Sequence, residues 1–388
     1  MRKFVKNAKG ARAKGKDIYS INIGQPDIET PKEFLEAIKK FDKKVIEYAD
    51  STGIPELKAE IAKYYKRLGC DFTEDEIIVS TGGSEALYFV MTTILNSGDN
   101  IIMGEPYYAP YDNYTAMAGG YVKAIPATAE EGYRYATREK ILKAIDDKTR
   151  AIAVVNPANP SGLLLTQEEM DTIVEIVKEK ELFLVVDEVY REFVYDGKKM
   201  NTFAKYKGIE KNLIVCDSIS KRFSGCGARI GCVISHNQEI IEAITKLAQM
   251  RLCSPELEQI GATALYKLNP NYFDKVREEY QHRRDVTYAA LQRIPGILCG
   301  KPEGAFYITC KLPVDDAEKF LVFMLDEFDI DGKTVMFAPA QSFFGTPGMG
   351  KSDIRIAYVL NADDMEKAIY ILGEGIKAYN SRQKGKQK

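Results

Sequence analysis

Leu213-Ile214-Val215-Cys216-Asp217, followed by Ser218-Ile219-Ser220-Lys221-Arg222-Phe223-Ser224-Gly225-Cys226-Gly227-Ala228-Arg229-Ile230-Gly231, joins a short apolar run to a loop of small, hydroxyl-bearing and cationic residues. Four continuous apolar positions are too few for a helix and fit a strand covered on both faces. The loop carries the chemistry. A lysine partly stripped of water at a sheet edge can act as a nucleophilic amine, although most lysines in a lysine-rich chain are solvated surface groups.

The same pattern recurs on either side. Apolar runs at Glu76 to Ser80, Asn100 to Met103, Tyr121 to Ile125, Ala151 to Val155, Leu182 to Asp187 and Arg229 to Ser235 alternate with longer helix-patterned stretches. This predicts an α/β fold with a mostly parallel, seven-stranded sheet sandwiched by helices. Thr166 and Glu169 form a capping box ahead of Met170, Ile173, Val174 and Val177, which recur at helical spacing. After Ser254 long helices take over, one from about Asn361 to Tyr379 with Met365, Ile369, Leu372 and Ile376 inward. A smaller α+β domain is expected to begin near residue 275. The division expected is an arm over 1–19, the N-terminal part of the small domain over 20–47, a large domain over 48–275 and the rest of the small domain over 276–388. Seven Lys or Arg precede Asp17, among Phe4, Val5, Ala8, Ala11 and Ala13, which reads as a weakly helical arm packing on a partner surface. Ser381 to Lys388 reads as a solvated, low-complexity end.

Composition narrows the function classes. Of 388 residues, 54 are Lys or Arg and 56 are Asp or Glu, a net charge of −2 that argues against a polyanionic partner or an anionic membrane surface. No stretch approaches a membrane span or a secretory signal. Seven cysteines at irregular spacings, none in a C-x-x-C pair, suit a reducing, cytoplasmic setting. His236 and His282 are the chain's two histidines and lie far apart, so His-based metal sites and Ser-His-Asp triads lose ground, and no metal is expected.

The unusual residues gather just after the predicted strands, the edge where open α/β sheets bind ligands. Thr81-Gly82-Gly83-Ser84 opens a helix and can present unpaired N–H groups to an anion, though alone it also describes a tight turn. Asn156-Pro157-Ala158-Asn159-Pro160-Ser161-Gly162 is a rigid, turn-rich loop with two amide side chains. Asp187 closes an apolar run and is followed by Glu188-Val189-Tyr190; a carboxylate there is costly without a cationic or N–H partner, from the fold or from a ligand ring nitrogen. Together with Lys221, these features follow the order that a phosphorylated, cationic-ring, carbonyl cofactor would require.

From Gly24 to Arg355 the chain resembles the class I and II aminotransferases, pyridoxal-phosphate enzymes of fold type I, most specifically over Ser218 to Gly231. The resemblance implies that Lys221 holds pyridoxal phosphate covalently and later moves a proton at the substrate's Cα. It implies that Asp187 keeps the pyridine nitrogen protonated, and that Tyr190 and Asn159 hydrogen-bond the ring's phenolate oxygen. Gly83, Ser84, Ser218 and Arg229 would bind the phosphate, and Tyr108, in Glu105-Pro106-Tyr107-Tyr108, would stack on the ring. Gly24 would contact the substrate carboxylate, which Arg355 would grip in bidentate fashion. Tyr48 would reach the phosphate of the neighbouring subunit, which implies a homodimer with shared active sites. Two positions depart from the family pattern: Gly225, where an apolar residue is usual, and Ala340 after Pro339, where glycine is usual.

Arg355 would read the α-carboxylate of any amino acid, so a second carboxylate needs a second cation. Arg251 stands near the place where dicarboxylate-specific members put an arginine from the other subunit; as a surface helix arginine it would have no such role. That position, with the resemblance of Val189 to Gly197 to bacterial-type aspartate aminotransferases, implies transfer from aspartate to 2-oxoglutarate by a ping-pong mechanism. Competing readings are an aminotransferase for aromatic or other neutral amino acids, and a β-lyase or a cyclopropane-forming synthase on the same cofactor. A non-catalytic amino-acid sensor would carry a DNA-binding domain ahead of the Gly24 region, where only a short basic arm stands.

Overall fold

The computed structural model describes residues 2–386. Seven strands form the main sheet in the spatial order Ile77–Ser80, Gly231–Ile234, Leu213–Ser218, Phe183–Asp187, Thr149–Val155, Asn100–Gly104, Tyr121–Ile125. Gly231–Ile234 runs antiparallel to both of its neighbours, and every other pairing in the sheet is parallel. The lysine loop is a direct return from Ser218 to Gly231, which pair across the antiparallel ladder. Every strand lies within two residues of its expected bounds.

Alternation along the strands builds two cores. Ile152, Val154, Leu184, Val186 and Val215 face one apolar cluster, while Ala151, Ala153, Val185, Ile214 and Cys216 face another. Both faces are therefore dry, and each buried Val, Leu or Ile contributes about 1.5–3 kcal/mol. The helix Gln167–Lys180 begins at the expected box, with the Thr166 side chain accepting from the Glu169 N–H and Glu169 returning to the Thr166 N–H.

A second body holds the three-stranded antiparallel sheet Ala338–Pro339, Asp353–Ala357, Tyr307–Lys311 and the parallel pair Asp17–Ser20 with Lys333–Met336. Its apolar cluster takes Tyr190 and Phe193 from the loop after Asp187, so the two bodies meet beside that strand's end.

The arm forms the helix Val5–Ala13, as its pattern predicts, and lies on the helix Ala317–Asp326 of its own chain, where Asn7 Nδ2 donates to Asp326 Oδ2 at 2.9 Å. Two expectations change. The helix Lys32–Lys39, expected with the small domain, packs on Glu256–Tyr266 of the large one, with the Phe34 ring pressed against Gly261 and joined to the main core. The last helix spans Ala362–Lys386, so the described part of the end expected as loose continues the helix; Gln387 and Lys388 lie outside the described residues. Among the described residues no helix is long and apolar enough to cross a membrane.

Candidate active site

The strand ends converge on a cavity of about 620 Å³ lined from both bodies of the fold. Gly24, Gly83, Ser84, Tyr108, Asn159, Asp187, Tyr190, Ser218, Lys221, Arg229 and Arg355, all singled out in the sequence, line it. Tyr48 and Arg251 do not.

At the phosphate end, the helix Gly82–Ile94 points its N-terminus into the cavity. Gly82 has φ +77°, and a Cβ there would stand 2.2 Å from a terminal nitrogen of Arg229. The guanidinium can lie against the helix start because that position is glycine. Gly83, the glycine singled out from sequence, would carry a Cβ in ordinary contact with Ser218, so the steric requirement falls on its neighbour. Arg229 itself has φ +55° and donates to the Cys226 carbonyl at 3.0 Å, with no carboxylate among the described residues in ion-pair range. Orphan N–H groups, a guanidinium with no carboxylate partner among the described residues and the Ser84 and Ser218 hydroxyls are groups that could hold a phosphate dianion. Gly82→Ala is expected to weaken pyridoxal-phosphate affinity by roughly tenfold or more, as read by fluorescence titration of apoprotein; unchanged affinity would show that the cradle tolerates the methyl group.

Asp187 ends its strand 7% exposed, with Val189 N–H donating to Oδ1 at 3.2 Å and no cation in ion-pair range among the described residues. Burial pushes its pKa up to about 7; the Val189 N–H pulls the other way, Asp217 adds to the rise, and Lys221 offsets part of it. Of the cationic or N–H partners expected from sequence, the described residues supply the Val189 N–H and no ion-paired cation, and a protonated ring nitrogen is the group that would complete this carboxylate.

Between Asp187 and Arg355 runs a hydrogen-bonded file of side chains. Tyr307 and Tyr190 share a hydrogen bond at 2.9 Å, Asn159 Nδ2 donates to the Tyr190 hydroxyl at 3.4 Å, and Arg355 donates to Asn159 Oδ1 at 3.1 Å and to the Asn22 carbonyl at 2.7 Å. Burial pushes the phenol of Tyr190 well above its ordinary value and that of Tyr108 up to about 12, so both stay protonated donors. Arg355 lies 4.7 Å from the Tyr307 ring centre and 5.1 Å from that of Phe343. It is 7% exposed, its buried Nε has no acceptor, and no carboxylate among the described residues pairs with it. Ala340, one of the departures from the family pattern, is buried in the small cluster that carries Phe343.

Lys221 reaches across from the other wall, its Nζ donating to the Gly24 carbonyl at 3.0 Å and lying 3.8 Å from Cys226 Sγ. The adjacent Arg222 turns inward, fully buried and ion-paired with Asp217. Gly24 is required by Tyr307, whose hydroxyl would stand 1.8 Å from a Cβ at that position. Tyr307 and Asn22 are the contributors that sequence reading misses. Neither sits in a recognisable motif, and Asn22, though two residues past Asp17–Ser20, follows a strand outside the sheet read from sequence; their roles arise from the packing of the second body.

Arg251 does not line the cavity of its own chain, and its two terminal nitrogens are taken there by Glu85 Oε2 at 3.0 Å, Thr81 Oγ1 at 3.3 Å, the Ser51 carbonyl at 2.9 Å and the Ser254 hydroxyl, while its Nε has no acceptor. Tyr48 is 80% exposed, beside the exposed Val45 and Ile46. Among the described residues no cluster of three His, Cys, Asp or Glu could hold a metal ion.

The chain is similar to known proteins over most of its length. The family model for aminotransferase class I and II matches residues 16–372. The aspartate aminotransferase of Bacillus subtilis is 32% identical over 378 residues, covering 93% of this chain and 92% of the relative; that of Bacillus sp. strain YM-2 is 33% identical, with the same coverage of both chains. Among solved structures, an alanine aminotransferase from Pyrococcus furiosus superposes with a TM-score of 0.89 at 30% identity, covering 97% of this chain and 96% of that one.

Proposed function

The chain belongs to the class I and II aminotransferases, and we propose that it moves the amino group of an L-amino acid, aspartate by preference, to 2-oxoglutarate in two half-reactions on pyridoxal phosphate. The cofactor, when bound, supplies an aldehyde for the amino group and a protonated ring that draws off the electron pair at Cα. Arg229, Ser84, Ser218 and the helix N-terminus at Gly82 hold its phosphate, and Asp187 holds its ring nitrogen. Tyr190 and Asn159 hydrogen-bond its phenolate, and Tyr108 covers its face. Lys221 anchors it and, once free, moves a proton at Cα. Arg355 orients the substrate, and the Tyr307 and Phe343 rings beside it displace water and strengthen the pairing.

The observation that carries this reading is Arg355: a buried guanidinium with an unpaired Nε, no carboxylate of the chain within ion-pair range among the described residues, and a place in the same cavity as Lys221. It needs an anion from outside, and an α-amino acid brings one together with the amine. Aspartate is favoured by the names of the relatives. A neutral donor is the second reading, favoured by the occupied donors of Arg251 and by the likeness to an alanine aminotransferase. A cytoplasmic homodimer is part of the proposal, with the exposed Tyr48 of each chain reaching the phosphate of the other; the seven free cysteines suit that compartment.

The test is a panel of amino donors against several 2-oxo acids with the cofactor-loaded enzyme. Aspartate is expected to exceed alanine and phenylalanine in kcat/KM by roughly tenfold or more, with parallel double-reciprocal lines. A neutral donor in first place overturns the aspartate preference. Without acceptor, one equivalent of oxo acid per site is expected; continuous release of ammonia and pyruvate would mean a lyase.

A further inference from the structure

We propose that Lys9 and Arg12, on the arm helix Val5–Ala13, bind the side-chain carboxylate of a dicarboxylic substrate, supplying the selectivity for which the sequence offers Arg251. The inference rests on the aspartate reading above and deepens it.

Val5, Ala8, Lys9 and Arg12 recur at the i, i+3, i+4, i+7 spacing of a single helix stripe, and all four line the cavity that holds Lys221 and Arg355. The rotation of the helix is set from its other side, by the hydrogen bond from Asn7 to Asp326 and the ion pair of Lys3 with Glu318. Lys16, just beyond the helix, donates to the Phe328 carbonyl at 3.2 Å and pairs with Asp329. The stripe thereby faces the mouth of the cavity, where Ala8 is buried and Val5, Lys9 and Arg12 stay exposed.

Charge singles out the pair. The cavity is lined by five cations, Lys9, Arg12, Lys221, Arg229 and Arg355, against one carboxylate, Asp187. In the proposed function Arg229 faces the phosphate, Arg355 the α-carboxylate, Asp187 the ring nitrogen, and Lys221 the covalent link. Lys9 and Arg12 remain, and no carboxylate among the described residues stands in ion-pair range of either, although Lys3 and Lys16 on the same arm are both paired. Two uncompensated cations over the mouth of a site that binds amino acids are matched by one more carboxylate on the substrate. The guanidinium fork of Arg12 fits it bidentately, and Lys9, one turn away, adds a second charge. A neutral side chain gains nothing there.

Cofactor-loaded wild type is compared with Lys9→Gln, Arg12→Gln and the double variant, helical content being checked by circular dichroism. The double variant is expected to lower the aspartate-to-alanine ratio of kcat/KM by roughly tenfold or more, and to raise the Kd of maleate, a diacid with no amino group, by a similar factor. A double variant that keeps the ratio and the maleate affinity of a wild type that prefers aspartate overturns this proposal and leaves the aspartate reading standing. A wild type with no preference for aspartate over alanine overturns both.

Discussion

Lys221→Ala is expected to lower kcat by roughly four orders of magnitude or more while leaving the fold intact. The side chain reaches across the cavity from the lysine loop to the Gly24 carbonyl at 3.0 Å, and no carboxylate among the described residues pairs with it. Its removal strands no buried charge, so thermal unfolding should shift by little. What is lost is a nucleophile for the cofactor's aldehyde and a base that faces, across the cavity, the wall that carries Gly24 and Arg355. Lys221→Arg keeps the positive charge and removes both abilities, since a guanidinium stays protonated; it should fail as completely as the alanine variant. Borohydride treatment followed by intact-mass and peptide analysis should find the cofactor fixed to Lys221 in the wild type and to no residue in either variant. Retained turnover, or an adduct on another lysine, would sink the assignment of this amine.

The parts legible in the sequence are those set by local pattern. Strand bounds came within two residues because a sheet dry on both faces writes its strands as unbroken apolar runs, as at Leu213 to Cys216 and Leu184 to Val186. The loop residues were legible because strand ends mark the ligand edge: Asp187 closes its strand, Lys221 stands three residues past Ser218, and Arg229 stands two before Gly231. Residues placed by tertiary packing left no such mark. Tyr307 is one of 23 tyrosines and gains its role from lying against Gly24 and Arg355. The arm shows a stripe of small residues that would suit any apolar surface, and nothing local says that the surface is Ala317–Asp326 of the same chain. The last helix outruns its apolar spacing because a helix once nucleated propagates at small cost through polar residues, here with Arg382 paired to Glu327. The sequence position of Arg251 says nothing of Glu85, whose carboxylate holds it against the phosphate helix.

Asp187→Asn should produce the second large loss, roughly two to four orders of magnitude in kcat, together with a change in pH behaviour that a purely structural residue would not show. An amide of the same shape keeps the contact with Val189 N–H in form but carries no charge to hold a ring nitrogen protonated. In the apoprotein the effect on stability has the opposite sign. Burial, the largest cause, raises the Asp187 pKa from 3.8 to about 7, so the folded chain retains a proton that the unfolded chain releases. Below about pH 4 both states are protonated and the group contributes nothing to the pH dependence. Between about pH 4 and 7 this group lowers stability by about 1.4 kcal/mol per pH unit, and above 7 the loss levels off. Asp187→Asn lacks that slope, so the variant apoprotein should gain on wild type across this window by a few kcal/mol, roughly 3–4 at its upper end. Urea unfolding of both apoproteins at several values between pH 4 and 8 measures the difference and cancels groups that titrate alike in both. With cofactor bound the ionised carboxylate faces a cation, and the order should invert, wild type becoming the more stable at pH 7–8. Parallel pH profiles for the two apoproteins would show that Asp187 is not the desolvated, unpartnered carboxylate described above, and the reading of it as the ring-nitrogen partner would lose its physical ground.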